Sequence, residues 1–112
     1  MGKESRRFPR IEFSGPLRCS VRGSPEVTGT VTQNLSLSGI GFISSSFLAP
    51  STTVMLQIQL LSRIIQPIAQ IVWSSPVSRQ DKYRHGARFI ECDPQDKKNL
   101  SDFLTMRSYQ QL

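Results

Sequence analysis

"TTVMLQIQLL", residues Thr52 to Leu61, alternates apolar and polar side chains: Val54, Leu56, Ile58 and Leu60 against Met55, Gln57 and Gln59. A period of two over this length is the mark of a strand with one face on a core. The pattern recurs on both sides. In "LRCSVRG", Leu17, Cys19 and Val21 oppose Arg18, Ser20 and Arg22. "SPE" turns the chain, and "VTGTVTQNLS" is rich in β-branched residues and reads as a returning hairpin strand. "SGIGFISS" follows after a tight bend. "IIQPIAQIVWSS" is a further strand, with Pro67 placing its early part at an edge or bulge. "KYRHGARFIEC" sets Ala87 and Phe89 against Arg88 and Ile90. Turn signals recur at roughly ten-residue intervals, which predicts a sandwich or barrel.

The period then changes. In "CDPQDKKNLSDFLTMRSY", Asp93 is placed to cap a helix, Pro94 fits its first position and Asp96 its first turn. Leu100, Phe103, Leu104 and Arg107 recur at helical spacing. One amphipathic helix, about 94–107, is expected to cover a face or mouth of the sheet. The fold class is therefore mainly β with a C-terminal α-helix.

The 112 residues suffice for one core and leave little room for a second. Residues 1–10 read as a flexible basic arm with Pro9 inside it, and residues 11–112 as a single domain. No apolar run is long enough to span a bilayer, and no apolar stretch follows the charges of "MGKESRRFPR", so neither a membrane segment nor a secretory signal is expected. Cys19 and Cys92 read as two small core residues in a reducing, cytoplasmic setting. His85 is the one histidine; with no Cys/His cluster, paired carboxylates or triad, neither a metal nor an enzyme is expected.

Two stretches carry chemistry. Residues 1–22 hold six basic groups against Glu4 and Glu12, so most of the net charge of +6 is local to the N-terminus. "RRFPR" concentrates three of them, Arg6, Arg7 and Arg10. Guanidinium forks match phosphate oxygens and guanine edges, which predicts an anionic partner. The second stretch is "NLSLSG". Alternation would aim Asn34 and Ser36 the same way, and Gly39 would allow positive φ or the close approach of a ligand. Either stretch alone also fits something plainer, a solvated arm or a capped turn.

Taken together and in this order, "RRFPR" and "NLSLSG" resemble the two signature motifs of the PilZ domain family: an arginine pair with a third arginine three positions on, then Asp or Asn, x, Ser, x, x, Gly. "IAQIVWSS", "YRHGARFIEC" and the helix after them are similar to the family's second half, so the likeness covers nearly the whole chain. The resemblance implies a six-stranded antiparallel β-barrel of split-barrel type with a C-terminal helix. It also implies a bacterial receptor for cyclic di-GMP, with no other cofactor. By that likeness Arg6, Arg7 and Arg10 would wrap the ligand, Asn34 and Ser36 would meet a guanine, and Gly39 would keep the approach clear. Ser38, Gly86 and Arg88 are further candidates at the rim, each with a plainer reading as a turn residue, a relief glycine or a solvated side chain. Trp73 has two readings, stacking beside the ligand or, more commonly for a lone tryptophan on a strand, the core. Ligand binding would order residues 5–10 against the barrel and present a changed surface to an unidentified effector protein, in motility, pilus, exopolysaccharide, biofilm or virulence control. A monomer or weak dimer is expected. Two alternatives stand beside this: a PilZ-type adaptor that binds no nucleotide, and a small nucleic-acid-binding barrel. Against the second, charge outside the arm is nearly balanced, so no DNA or RNA partner is expected.

Overall fold

The structure, a computed structural model, describes residues 10–110. Seven strands precede one helix: β1 (Ile11–Val21), β2 (Thr28–Leu35), β3 (Gly39–Ser44), β4 (Thr53–Gln59), β5 (Ile64–Ile65), β6 (Ile68–Pro76), β7 (Tyr83–Glu91) and α1 (Pro94–Gln110). They form one antiparallel sheet in the order β1-β2-β3-β7-β6-β4-β5. The sheet closes because β1 also pairs with β4, from Leu17↔Ile58 to Val21↔Val54. Six strands thus make a barrel, and β5 stays outside as a two-residue addition to β4. Pro67 explains that break: it lacks the N–H a continuous strand would need, and its carbonyl accepts from Leu56 N instead.

The alternation in Thr53–Gln59 is realised residue by residue. Val54, Leu56 and Ile58 are buried, while Met55 and Gln57 are exposed. They join Leu17, Leu35, Ile40, Phe42, Ile71 and Ala87 in a single core. Each large aliphatic side chain buried this fully stabilises the fold by roughly 1.5–3 kcal/mol. The helix covers one mouth of the barrel with Leu100, Phe103 and Leu104, and Phe103 meets Phe13 edge-to-face with ring centroids 4.9 Å apart. Its start is capped as the sequence predicts: Asp93 Oδ1 accepts from Gln95 N. Asp96 Oδ2 accepts from Gln66 N, tying the first turn to the segment after β5.

The structure differs from the sequence reading in three places. The first strand begins at Ile11, six residues before the alternation at Leu17 was legible. Gly15 and Pro16 interrupt the pattern there, and the β1–β2 register shifts between Glu12 and Gly15. The helix runs three residues beyond Arg107. Of the two cysteines only Cys19 is in the core, where burial pushes its thiol up to about 11; Cys92 is half-buried, and both are free. Among the described residues no helix is long and apolar enough to cross a membrane, and no group of His, Cys, Asp and Glu is arranged to hold a metal ion.

His85 is buried inside the barrel with a serine on each ring nitrogen: Ser74 Oγ at 2.6 Å from Nδ1 and Ser44 Oγ at 2.7 Å from Nε2. The Ser74 hydroxyl also donates to the Leu48 carbonyl and the Ser44 hydroxyl to the Ser46 carbonyl, which fixes both serines against the ring. Desolvation lowers the His85 pKa below its ordinary 6.5, outweighing the opposing effect of a backbone bond at Ser46. The unfolded chain therefore takes up a proton near pH 6.5 that the folded protein resists, and stability falls as pH drops through and below that value. Because the chain has one histidine, this slope is assignable. The urea midpoint of the native protein should fall between pH 7.5 and 5.5, and His85→Gln should flatten that slope whatever its effect on overall stability.

Candidate functional site

Two β-bulges set the outer surface where the predicted residues lie. In β2 an extra residue at Gln33 breaks the register against β3 between Thr32 and Asn34. In β6 a shift between Ile71 and Trp73 breaks the register against β7. A bulge inverts the inside–outside phase of the residues beyond it. Strict alternation from Ala69 and Ile71 would point Trp73 inward, but Val72 and Trp73 are both about half exposed. The tryptophan is therefore a surface residue and not part of the core.

The registers then line up a row across five strands: Glu12 on β1, Asn34 on β2, Gly41 on β3, Gly86 on β7 and Trp73 on β6. The two central glycines make room for their neighbours. A Cβ on Gly41 would fall within 3.0 Å of the Asn34 amide, and one on Gly86 would overlap the Trp73 indole. The Asn34 amide and the Trp73 ring thus lie side by side over bare backbone, one above Gly41 and the other above its partner Gly86, on a shallow shelf with an Asn34 end and a Trp73 end.

Arg10 enters at the Asn34 end, immediately before β1. Its Nη1 donates to Asn34 Oδ1 at 2.7 Å in a part-buried contact. The last arginine of the first stretch and the first residue of the second therefore meet directly, although 24 positions apart. Arg6 and Arg7 lie outside the described residues. Beside the row, Arg88 pairs with Gly39 across β3 and β7, and its guanidinium donates to Gln70 Oε1 at 2.7 Å on β6. This outer face therefore carries cations on two sides of the glycine shelf.

Ser36 and Gly39 take other positions than the sequence suggested. The extended segment ends at Leu35, so alternation no longer applies to Ser36. Its side chain is buried and accepts from Gly39 N at 3.1 Å and Ser38 N at 3.2 Å, with the Ser38 hydroxyl a further 3.1 Å away. It pins the β2–β3 turn that holds Asn34 in place. Gly39 does not adopt positive φ. A Cβ there would overlap the Ala87 carbonyl oxygen, so the glycine serves the approach of β7.

A groove of about 590 Å³ opens beside Asn34, walled by Glu12, Phe13, Val31, Ile43 and Arg107 among others. The sequence pattern placed Arg107 on the helix stripe and singled out neither Glu12 nor the groove. The available signal was a pair of glycines in strand interiors, which marks a site of close packing or approach.

Known proteins give this arrangement its context. The PlzA protein of Borreliella burgdorferi in complex with c-di-GMP superposes with a TM-score of 0.67 at 16% identity over 91% of this chain and 42% of its own. The PilZ domain of YcgR from Escherichia coli, solved with c-di-GMP, gives 0.73 at 16% identity over 94% of this chain and 92% of its own. The Bacillus subtilis inhibitor of motility, MotI/DgrA, gives 0.80 at 19% identity over 94% of this chain. This chain spans about half of that protein's length, 52%. No curated protein sequence matches the chain. The model of the PilZ domain matches residues 4–106, taking in both arginine-rich and serine–glycine stretches, the barrel and most of the helix, and the chain belongs to that family.

Proposed function

We propose that this protein is a receptor for cyclic di-GMP. The observation that carries the reading is the Arg10–Asn34 hydrogen bond, which joins the two motifs at one end of the glycine shelf. Cyclic di-GMP carries two phosphate charges and two guanines. Arginine forks suit the phosphates and the O6/N7 edge of guanine, and an amide and an indole side by side on one face suit the edge and face of bases. The PilZ structures described with c-di-GMP support the same ligand. In this reading Arg6, Arg7 and Arg10 close over the ligand, Asn34 contacts a guanine, and Trp73 and Arg88 line the far side. Ser36, Ser38, Gly39 and Gly86 shape the backbone beneath. The ligand holds residues 5–10 against the barrel, and a partner protein in the bacterial cytoplasm reads the new surface.

Calorimetric titration with cyclic di-GMP, with GTP as the control, tests the proposal. Heat with the first and none with the second is expected; a folded protein giving heat with neither would move the assignment to an adaptor working by protein contact. Trp73 adds an optical prediction. It is the one tryptophan in the chain and is half exposed, so a stacked guanine should quench its emission along the calorimetric isotherm. Emission unchanged at saturation would place the ligand away from the β6 end of the shelf.

A further inference from the structure

The groove beside Asn34 contains an arginine that belongs to neither motif. Arg107 sits in the last turns of α1, and its guanidinium lies over the Phe13 ring, 5.6 Å from the centroid. Its Nη2 reaches the Glu12 carbonyl only at 3.4 Å, and its Nε is buried with no hydrogen-bond partner among the described residues. Thr32, on the same groove, has a buried hydroxyl that likewise has no partner among the described residues. Buried donors without acceptors are uncommon in folded proteins, and charged ones are the most costly. Here the two orphaned groups flank one open groove that begins at Asn34. The Glu12 carboxylate on the same wall offsets one positive charge. With Arg10 alone the end of the groove would be close to neutral; with Arg107 it is cationic.

We infer that Arg107 is a ligand contact of this site: its guanidinium takes a phosphate oxygen of the cyclic dinucleotide whose base lies at Asn34, an assignment that rests on the receptor reading. A flat guanidinium held over an aromatic ring is pre-oriented, so little freedom is lost when the anion arrives. The contact would place a residue of the C-terminal helix and Asn34 of β2 on the same ligand.

Cyclic di-GMP titrations of the native protein, Arg107→Gln and Arg107→Lys at several salt concentrations, with thermal melts of the free proteins, test this. Losing a charge-assisted bond should weaken Arg107→Gln by roughly 10- to 100-fold and flatten the dependence of affinity on salt. Arg107→Lys keeps the charge but not the flat guanidinium over Phe13; it should fold like the native protein and recover part of the affinity. A purely structural arginine would lower the melting temperature of the free protein and leave the salt slope unchanged. Native affinity in Arg107→Gln, with the native protein binding normally, overturns the inference and leaves the receptor reading standing. If the native protein binds no cyclic di-GMP, the receptor reading fails and this assignment with it.

Discussion

Asn34→Ala should weaken cyclic di-GMP binding by about 100-fold, or roughly 3 kcal/mol, while leaving the free protein folded. Two losses combine. The amide no longer meets a guanine, and Arg10 loses the acceptor that holds its guanidinium 2.7 Å from Asn34 Oδ1. Arg10 then has one contact fewer to orient it toward the site, which lowers affinity further. The cost to the barrel is small, because Asn34 is half-buried on the outer face. Asn34→Asp is the informative control. A carboxylate keeps the acceptor and strengthens the pairing with Arg10, and the family motif admits Asp at this position, so binding should survive. Calorimetry on both variants, with melting curves of the free proteins, checks this. Equal affinity in native protein and Asn34→Ala would place the ligand away from the Arg10–Asn34 junction and undo the proposed site.

What could be read before the structure depended on whether the local pattern kept phase. Val54, Leu56 and Ile58 kept it, so their burial followed directly from the sequence. Asp93 and Pro94 announced the helix because capping is a local property. The readings that failed sit where phase is broken by partners distant in sequence. A β-bulge is created by two strands together, and neither strand alone records it. The shift at Ile71/Trp73 turned the tryptophan outward, and the end of β2 at Leu35 turned Ser36 into the turn. Only the registers with Asn34 and Gly86 show Gly41 beneath a side chain. Arg107 and Glu12 are 95 residues apart, and no sequence pattern connects them. The arginine and Asn-x-Ser motifs were legible as a pair. That Arg10 and Asn34 touch is a property of how β1 and β2 pair.

Gly39→Ala should unfold the protein more readily before any ligand is added. A Cβ at this position would overlap the Ala87 carbonyl oxygen and press on the Arg88 backbone. Both belong to the main chain of β7, so no rotamer change relieves the contact. Either β3 and β7 separate at Gly39↔Arg88 and Ile40↔Ala87, or the turn from Ser36 is displaced. The first weakens the ladder next to fully buried Ile40, and the second breaks the Gly39 N–H bond to Ser36 Oγ. A loss of about 2–3 kcal/mol is expected, or on the order of 10 °C in melting temperature for a domain of this size. Affinity for cyclic di-GMP should fall as well, because displacing the turn moves Asn34, but as a consequence of the distorted scaffold. The rival explanation, that the glycine only clears space for the ligand, predicts a different pair of results: a free protein that melts like the native one, with the loss confined to binding. Thermal denaturation of the unliganded variant separates the two, and a native melting temperature would return Gly39 to the role of ligand clearance.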